Sequence, residues 1–167
     1  MSRLASISGR TPGPINPAIH FPIGAQVTIG HDRNRTSGSA YNRHSGGFLL
    51  GKQFLLEAIL WDIFAAATYT ISLVSDLTAS PTTLTTLATD VSLTGGSAEN
   101  TIEIAPIILQ PGLHYLSLYT STAVKVEDNT GVTAPINEYF ILWNTSYDGG
   151  FSGQYTLPIK LRGYVYQ

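Results

Sequence analysis

Between residues 68 and 73 the chain alternates strictly, with Tyr69, Ile71 and Leu73 set against Thr68, Thr70 and Ser72. A period of two places successive side chains on opposite faces, so this stretch predicts a half-buried β-strand. Further strands are predicted over Leu84–Leu93, Thr101–Gln110, Leu113–Thr120, Ala123–Glu127, Glu138–Asn144 and Gln154–Tyr166. Turn-forming residues separate them at Asp76–Pro81, Gly95–Gly96, Pro111–Gly112, Asp128–Gly131 and Tyr147–Gly150. In residues 48–67 (FLLGKQFLLEAILWDIFAAA) the pattern does not decide, because the run is apolar nearly all round. Lys52, Gln53, Glu57 and the alanines favour helix, whereas direct continuation into TYTISLVS favours a buried strand, the reading adopted. About seven or eight short strands at this spacing imply an all-β fold, an antiparallel two-sheet β-sandwich of jelly-roll type.

Residues 6–47 show no sustained period and are broken by Pro12, Pro14, Pro17 and Pro22 and by frequent Gly, Ser and Asn. They read as an extended N-terminal arm, with residues 1–46 as the arm and 47–167 as the sandwich domain. Fully extended, such an arm spans roughly 150 Å. Ordering it costs about 1–2 kcal/mol per residue, which contacts with neighbouring chains would offset. Apolar anchors for that purpose are Ile15, Ile19, Phe21, Ile23, Val27 and Ile29.

Composition sharpens this division. The 167 residues suit one domain, 43% are hydrophobic and only 12% are charged. The net charge of −2 is unevenly spread. Residues 1–46 hold Arg3, Arg10, Arg33, Arg35 and Arg43 against Asp32 alone, a balance of +4, and the remainder carries four basic and ten acidic groups, a balance of −6. A cationic arm on an anionic body suggests docking on an acidic protein surface. Nucleic acid is a poor partner, since the arm lacks a run of basic residues and the body would repel a duplex.

Candidate chemistry is sparse. His20, His31 and His44 fall in the arm, and His114 follows a turn, so no histidine joins a nucleophile and an acid on rigid elements. The sequence has no G-x-S-x-G elbow, H-E-x-x-H or P-loop, and its carboxylates are too dispersed to single out a glycosidase pair. With no cysteine there is no disulfide or zinc-thiolate site, and no D-x-D-x-D-G loop offers a calcium site. We therefore expect no enzyme activity, no cofactor and no metal. No apolar run reaches a membrane span, and the N-terminus lacks a signal-peptide core. A cytoplasmically made protein without a membrane partner is expected. Among the aromatic residues, Trp61 and Trp143 sit in apolar strands and read as core, whereas Tyr147 and Phe151 flank the Asp148–Gly149–Gly150 turn and are candidates for binding a glycan.

The segments QFLLEAILWDI, TYTISLVSDLTASP and IILQPGLHYLSLYTS, within Gly47 to Gly131, resemble β-sandwich modules of phage virion proteins. A small jelly roll behind a long arm is similar to capsid cement or decoration proteins. That resemblance implies a non-catalytic structural protein in the virion, a homotrimer that docks on capsid subunits through arm residues Arg3, Arg10, Ile15, Ile19, Phe21, Arg33, Arg35 and Arg43. The alternative is a tail-fibre or baseplate module that binds host-surface glycans through Tyr147 and Phe151.

Overall fold

The computed structural model describes residues 25–30, 35–78, 80–96, 98–130, 135–137, 140–147, 150–152, 155–156 and 159–166, with side chains described within 25–30, 40–124 and 159–166. Among the described residues there are twelve strands and no helix. In chain order they are β1 (Val27–Gly30), β2 (Arg35–Leu50), β3 (Phe54–Ile63), β4 (Ala67–Val74), β5 (Thr83–Leu93), β6 (Ala98–Leu109), β7 (Gly112–Thr130), β8 (Pro135–Asn137), β9 (Phe140–Tyr147), β10 (Gly150–Ser152), β11 (Tyr155–Thr156) and β12 (Ile159–Val165).

One sheet has the order β1-β12-β3-β6 and the other the order β10-β9-β2-β7-β4-β5, with β8 on β9 and β11 on β7. Every pairing is antiparallel. With β12 counted as the eighth principal strand, the orders become 1-8-3-6 and 2-7-4-5, those of a jelly-roll sandwich. Strands β8 to β11 form an insertion before the last principal strand.

The core lies between the sheets. Phe54, Leu56, Ile59, Trp61 and Ile63 of β3 meet Tyr69, Ile71 and Leu73 of β4 and Leu116 and Leu118 of β7. Trp61 and Tyr69 pack edge to face, with centroids 5.0 Å apart.

Strand β3 explains the segment in which hydrophobic period fails. It lies between β12 and β6 and is buried on both faces, so Ala58, Leu60 and Asp62 on its outer side are buried as well. Salt bridges from Lys160 to Glu99 and from Arg162 to Glu103 join β12 to β6 over that outer side. A strand covered on both faces reads as a continuous apolar run. The single buried strand expected over 48–67 is thus three elements: the end of β2, all of β3, and the entry to β4.

Three further expectations change. Residues 113–127 form one strand: four residues of β7 (Thr120 to Ala123) are passed over while β2 advances from Arg43 to Tyr41, a bulge that a sequence reading takes for a break. The strand predicted over 154–166 is resolved into β11 and β12. The boundary expected at 46/47 falls inside β2, whose residues 35–50 pair with β7 and, from His44 on, with β9. Val27 and Ile29, read as arm anchors, lie in β1, and Ile29 is buried in this chain's own core. The period is hard to see in β2 because its core-facing positions include polar His44 and side-chain-less Gly46 beside Phe48. Residues 1–24 and 31–34, the rest of the expected arm, lie outside the described residues.

Candidate docking cleft

At one end of the sandwich, where β5 and β6 form the free edges of the two sheets, a cleft of about 320 Å³ opens. Its walls are the end of β4, the start of β5, the end of β6 and the start of β7. Among the described residues, three of the five large hydrophobic side chains left exposed line it: Leu84 (64% exposed), Ile108 (40%) and Leu113 (45%). No charged side chain lines it.

Local sequence builds each wall. Ser75 and Thr82 close the β4–β5 turn through a backbone bond of 2.9 Å, and the Thr82 amide also donates to Ser75 Oγ at 3.0 Å. Asp76 completes the turn by accepting from the Thr78 amide and from Ser75 Oγ, both at 2.8 Å. Hydrogen bonds from the Thr78 side chain and amide, then from Ser75, hold the Asp76 carboxyl below its ordinary range. In β5 three register shifts against β4 leave extra residues, and Leu84 is one of them, turned out of the ladder. On the opposite wall His114 Nε2 donates to the Gln110 carbonyl at 2.7 Å, and its ring stacks on Phe48 with centroids 5.5 Å apart. Gln53 Nε2 donates to Gln110 Oε1 at 3.1 Å and ties the β6–β7 turn to the β2–β3 turn. Four aliphatic and aromatic walls held by polar turns make a preformed, largely apolar cleft, with His114 and Tyr115 as the titratable residues in its lining.

A second surface lies on the outer face of the larger sheet. By register, Phe151 of β10 stands opposite Ser146, Ser146 opposite Ser45, Ser45 opposite Ser117, Ser117 opposite Ser72, and Ser72 opposite Thr86. Five hydroxyl residues thus share one register row across five strands, of which Ser45, Ser72 and Ser117 are buried. Beside it Tyr119 is 45% exposed, and the Arg43 guanidinium lies 5.6 Å from its ring centroid. A shallow trough of about 120 Å³ there is lined by Arg43, Thr70, Ser72, Ser117 and Tyr119, among others.

The residues expected to dock a partner fall mostly outside the described residues. Arg3, Arg10, Ile15, Ile19, Phe21 and Arg33 lie outside the described residues. Arg35 and Arg43 belong to β2 rather than to an arm, Arg35 opposite Asp128 and Arg43 opposite Tyr119. Of the two glycan candidates, Tyr147 is in register with Gly150 and His44, and Phe151 with Ser146, so they occupy positions of opposite parity. Nor does His44 lie on an arm. It is wholly buried, its Nε2 donates to the Tyr41 carbonyl at 3.1 Å, and its ring lies 6.2 Å from that of Trp61. The cleft residues themselves escaped sequence reading, although Leu84 and Leu113 each follow a turn that it located. Among the described residues, no three His, Cys, Asp or Glu side chains gather as a metal site.

No protein-family model matches this chain, and no curated protein matches its sequence.

Proposed function

We propose that this chain is a non-catalytic structural protein of a virion, of the capsid cement or decoration type, which works by docking on other protein subunits. The observation that carries the reading is the gathering of Leu84, Ile108 and Leu113 around one preformed cleft. Exposed aliphatic side chains concentrated in one place are the mark of a protein–protein contact. The split between a basic N-terminal region and an acidic remainder supports it, since unlike charges steer such encounters. The resemblance to phage β-sandwich proteins supplies the virion, a host-cytoplasmic origin and a trimeric state.

Because β1 and β2 belong to the sandwich, the deletion that tests the docking role of the N-terminal segment must stop at residue 24. Particles assembled with the tagged full chain are expected to carry the tag through sedimentation, and particles assembled with the Δ1–24 variant to lose it while the variant keeps its β circular dichroism. Full retention of the truncated protein on particles would sink the reading.

A second reading, glycan binding, is favoured by the shallow trough in which the exposed Tyr119 ring stands beside Arg43, Thr70 and Thr83. Hydroxyls beside an aromatic face suit a sugar, which presents polar edges and an apolar face. Phe151→Ala and Tyr119→Ala would abolish glycan-array binding by the folded protein. Tyr147→Ala, at the other parity, would not.

A further inference from the structure

We propose that the cleft is the receptor for residues 15–23 of a second copy of this chain, so that each copy gives a segment to one neighbour and receives one from another. The inference rests on the reading of the N-terminal segment as a docking element, and it names the surface on which that element docks.

Composition matches the two parts. The segment INPAIHFPI has no charged residue and offers Ile15, Ile19, Phe21 and Ile23 as anchors. The cleft has no charged lining residue and exposes three aliphatic side chains. Burying apolar surface on both sides stabilises such a contact by about 25 cal/mol per Å² before ordering costs are deducted. Those costs are reduced by Pro17 and Pro22, which restrict the free segment towards extended conformations.

The mode of binding follows from the ladder chemistry. Prolines cannot donate to a sheet edge, and β5, the edge that borders the cleft, is interrupted by three register shifts. Both facts disfavour addition of a regular strand. Side chains inserted between Leu84, Ile108 and Leu113 account for recognition without it.

The direction of the chain favours a neighbour over the same copy. Val27 is in register with Gly163, Gly163 with Leu56, and Leu56 with Ile107 of the cleft wall. The start of β1 is therefore level with the cleft but three strand spacings away, about 14 Å across the sheet. Gln26 Nε2 donates to Glu57 Oε2 at 2.8 Å, which holds the residue just before β1 in line with the sheet. Seating the segment in its own cleft needs a turn across the end of the sandwich between Gln26 and Ile23. A segment that continues the line of β1 leaves the body and meets another copy. An interface between two different surfaces forms a ring when the rotation between copies closes, and closure at three copies would give the proposed trimer.

The absence of cysteine from the chain permits a direct test. Full-length Ile19→Cys protein is mixed with full-length Leu113→Cys protein under mild oxidation, with Thr122→Cys, an exposed position in the β7 bulge, as the control partner. The 19–113 disulfide between chains is expected to form at least tenfold faster than the 19–122 disulfide. Full-length Leu113→Glu, with unchanged circular dichroism, is expected to sediment as a smaller species than the parent. Equal rates with the control partner, or unchanged self-association of Leu113→Glu, would overturn the inference. So would a doubly substituted chain, Ile19→Cys with Leu113→Cys, that closes on itself at high dilution, since the segment would then occupy its own cleft. If crosslinking fails while Δ1–24 still leaves particles, the docking role of the segment survives and its receptor lies elsewhere. If Δ1–24 stays on particles, the docking role itself has failed.

Discussion

Arg162 of β12 and Glu103 of β6 form a salt bridge across the outer face of the smaller sheet, and both are in register with Ala58 of the strand between them. Two strand spacings, about 10 Å, separate their backbones, a gap that two long side chains close only over a small residue. Ala58 is that residue and is fully buried. The carboxylate end is 67% exposed, so the ionic contribution is small and the arginine stem supplies the cover.

Glu103→Ala is accordingly expected to cost less than about 1 kcal/mol, and the loss should fade in about 1 M salt. Arg162→Ala should cost about 1–2 kcal/mol, most of it insensitive to salt, because it uncovers Ala58 and its neighbours. Urea unfolding at low and high salt separates the two components.

Gly163 and Gly96 predict opposite responses to the same change. A Cβ at Gly163 would stand 1.8 Å from the Leu55 carbonyl oxygen, inside the sheet. Gly163→Ala should exceed the usual overpacking cost of about 1–3 kcal/mol and abolish the cooperative melt or lower it steeply. At Gly96 nothing lies within 4 Å, but φ is +80°, so Gly96→Ala should cost only the left-handed penalty of about 1–2 kcal/mol. Thermal melts of both variants check the ranking.

Burial pushes the Tyr69 phenol up to about 12, against an unfolded value of about 10. Below pH 10 both states hold the proton and stability is flat. As pH rises from about 10 towards 12 the unfolded chain loses its proton first, and this contribution to folding is lost. Tyr69→Phe should lack that component of the alkaline fall. Its Oη is buried with no hydrogen-bond partner among the described residues, so the substitution should cost little at neutral pH. The difference in Tm between the two proteins, followed from pH 8 to 12, tests both statements.

Asp76 acts at the acid end. Its folded carboxyl titrates below the unfolded one, so the contribution of the β4–β5 turn is complete above the ordinary carboxyl range and is lost as pH falls through the lower folded value. Asp76→Asn should remove this pH dependence and loosen the cleft wall. Amide exchange at Thr78 and Thr82, compared at pH 3 and pH 6, would register it.

The sandwich was legible because alternation at Thr68–Leu73 and the turns at Asp76–Pro81, Gly95–Gly96 and Pro111–Gly112 are local signals. Strand β3 was ambiguous because burial of both faces erases the period of two. Strand β2 was misassigned because His44 and Gly46 occupy core-facing positions, and only the register with β7 reveals them. Position Leu84 illustrates why the cleft was not legible: its exposure depends on a register shift against β4, a relation between strands that no local pattern encodes.

Strand β12 lies between β1 and β3, although every other described strand precedes it in the chain. During synthesis, therefore, one side of β3 stays without a neighbour until residue 165 has left the ribosome, and neither β1 nor the core position of Leu161 has its partner. Folding of the smaller sheet therefore waits for residues 159–165, and it is slow because its decisive contacts are far apart in sequence. In that interval the bare β3 edge is open to pairing between nascent chains on neighbouring ribosomes.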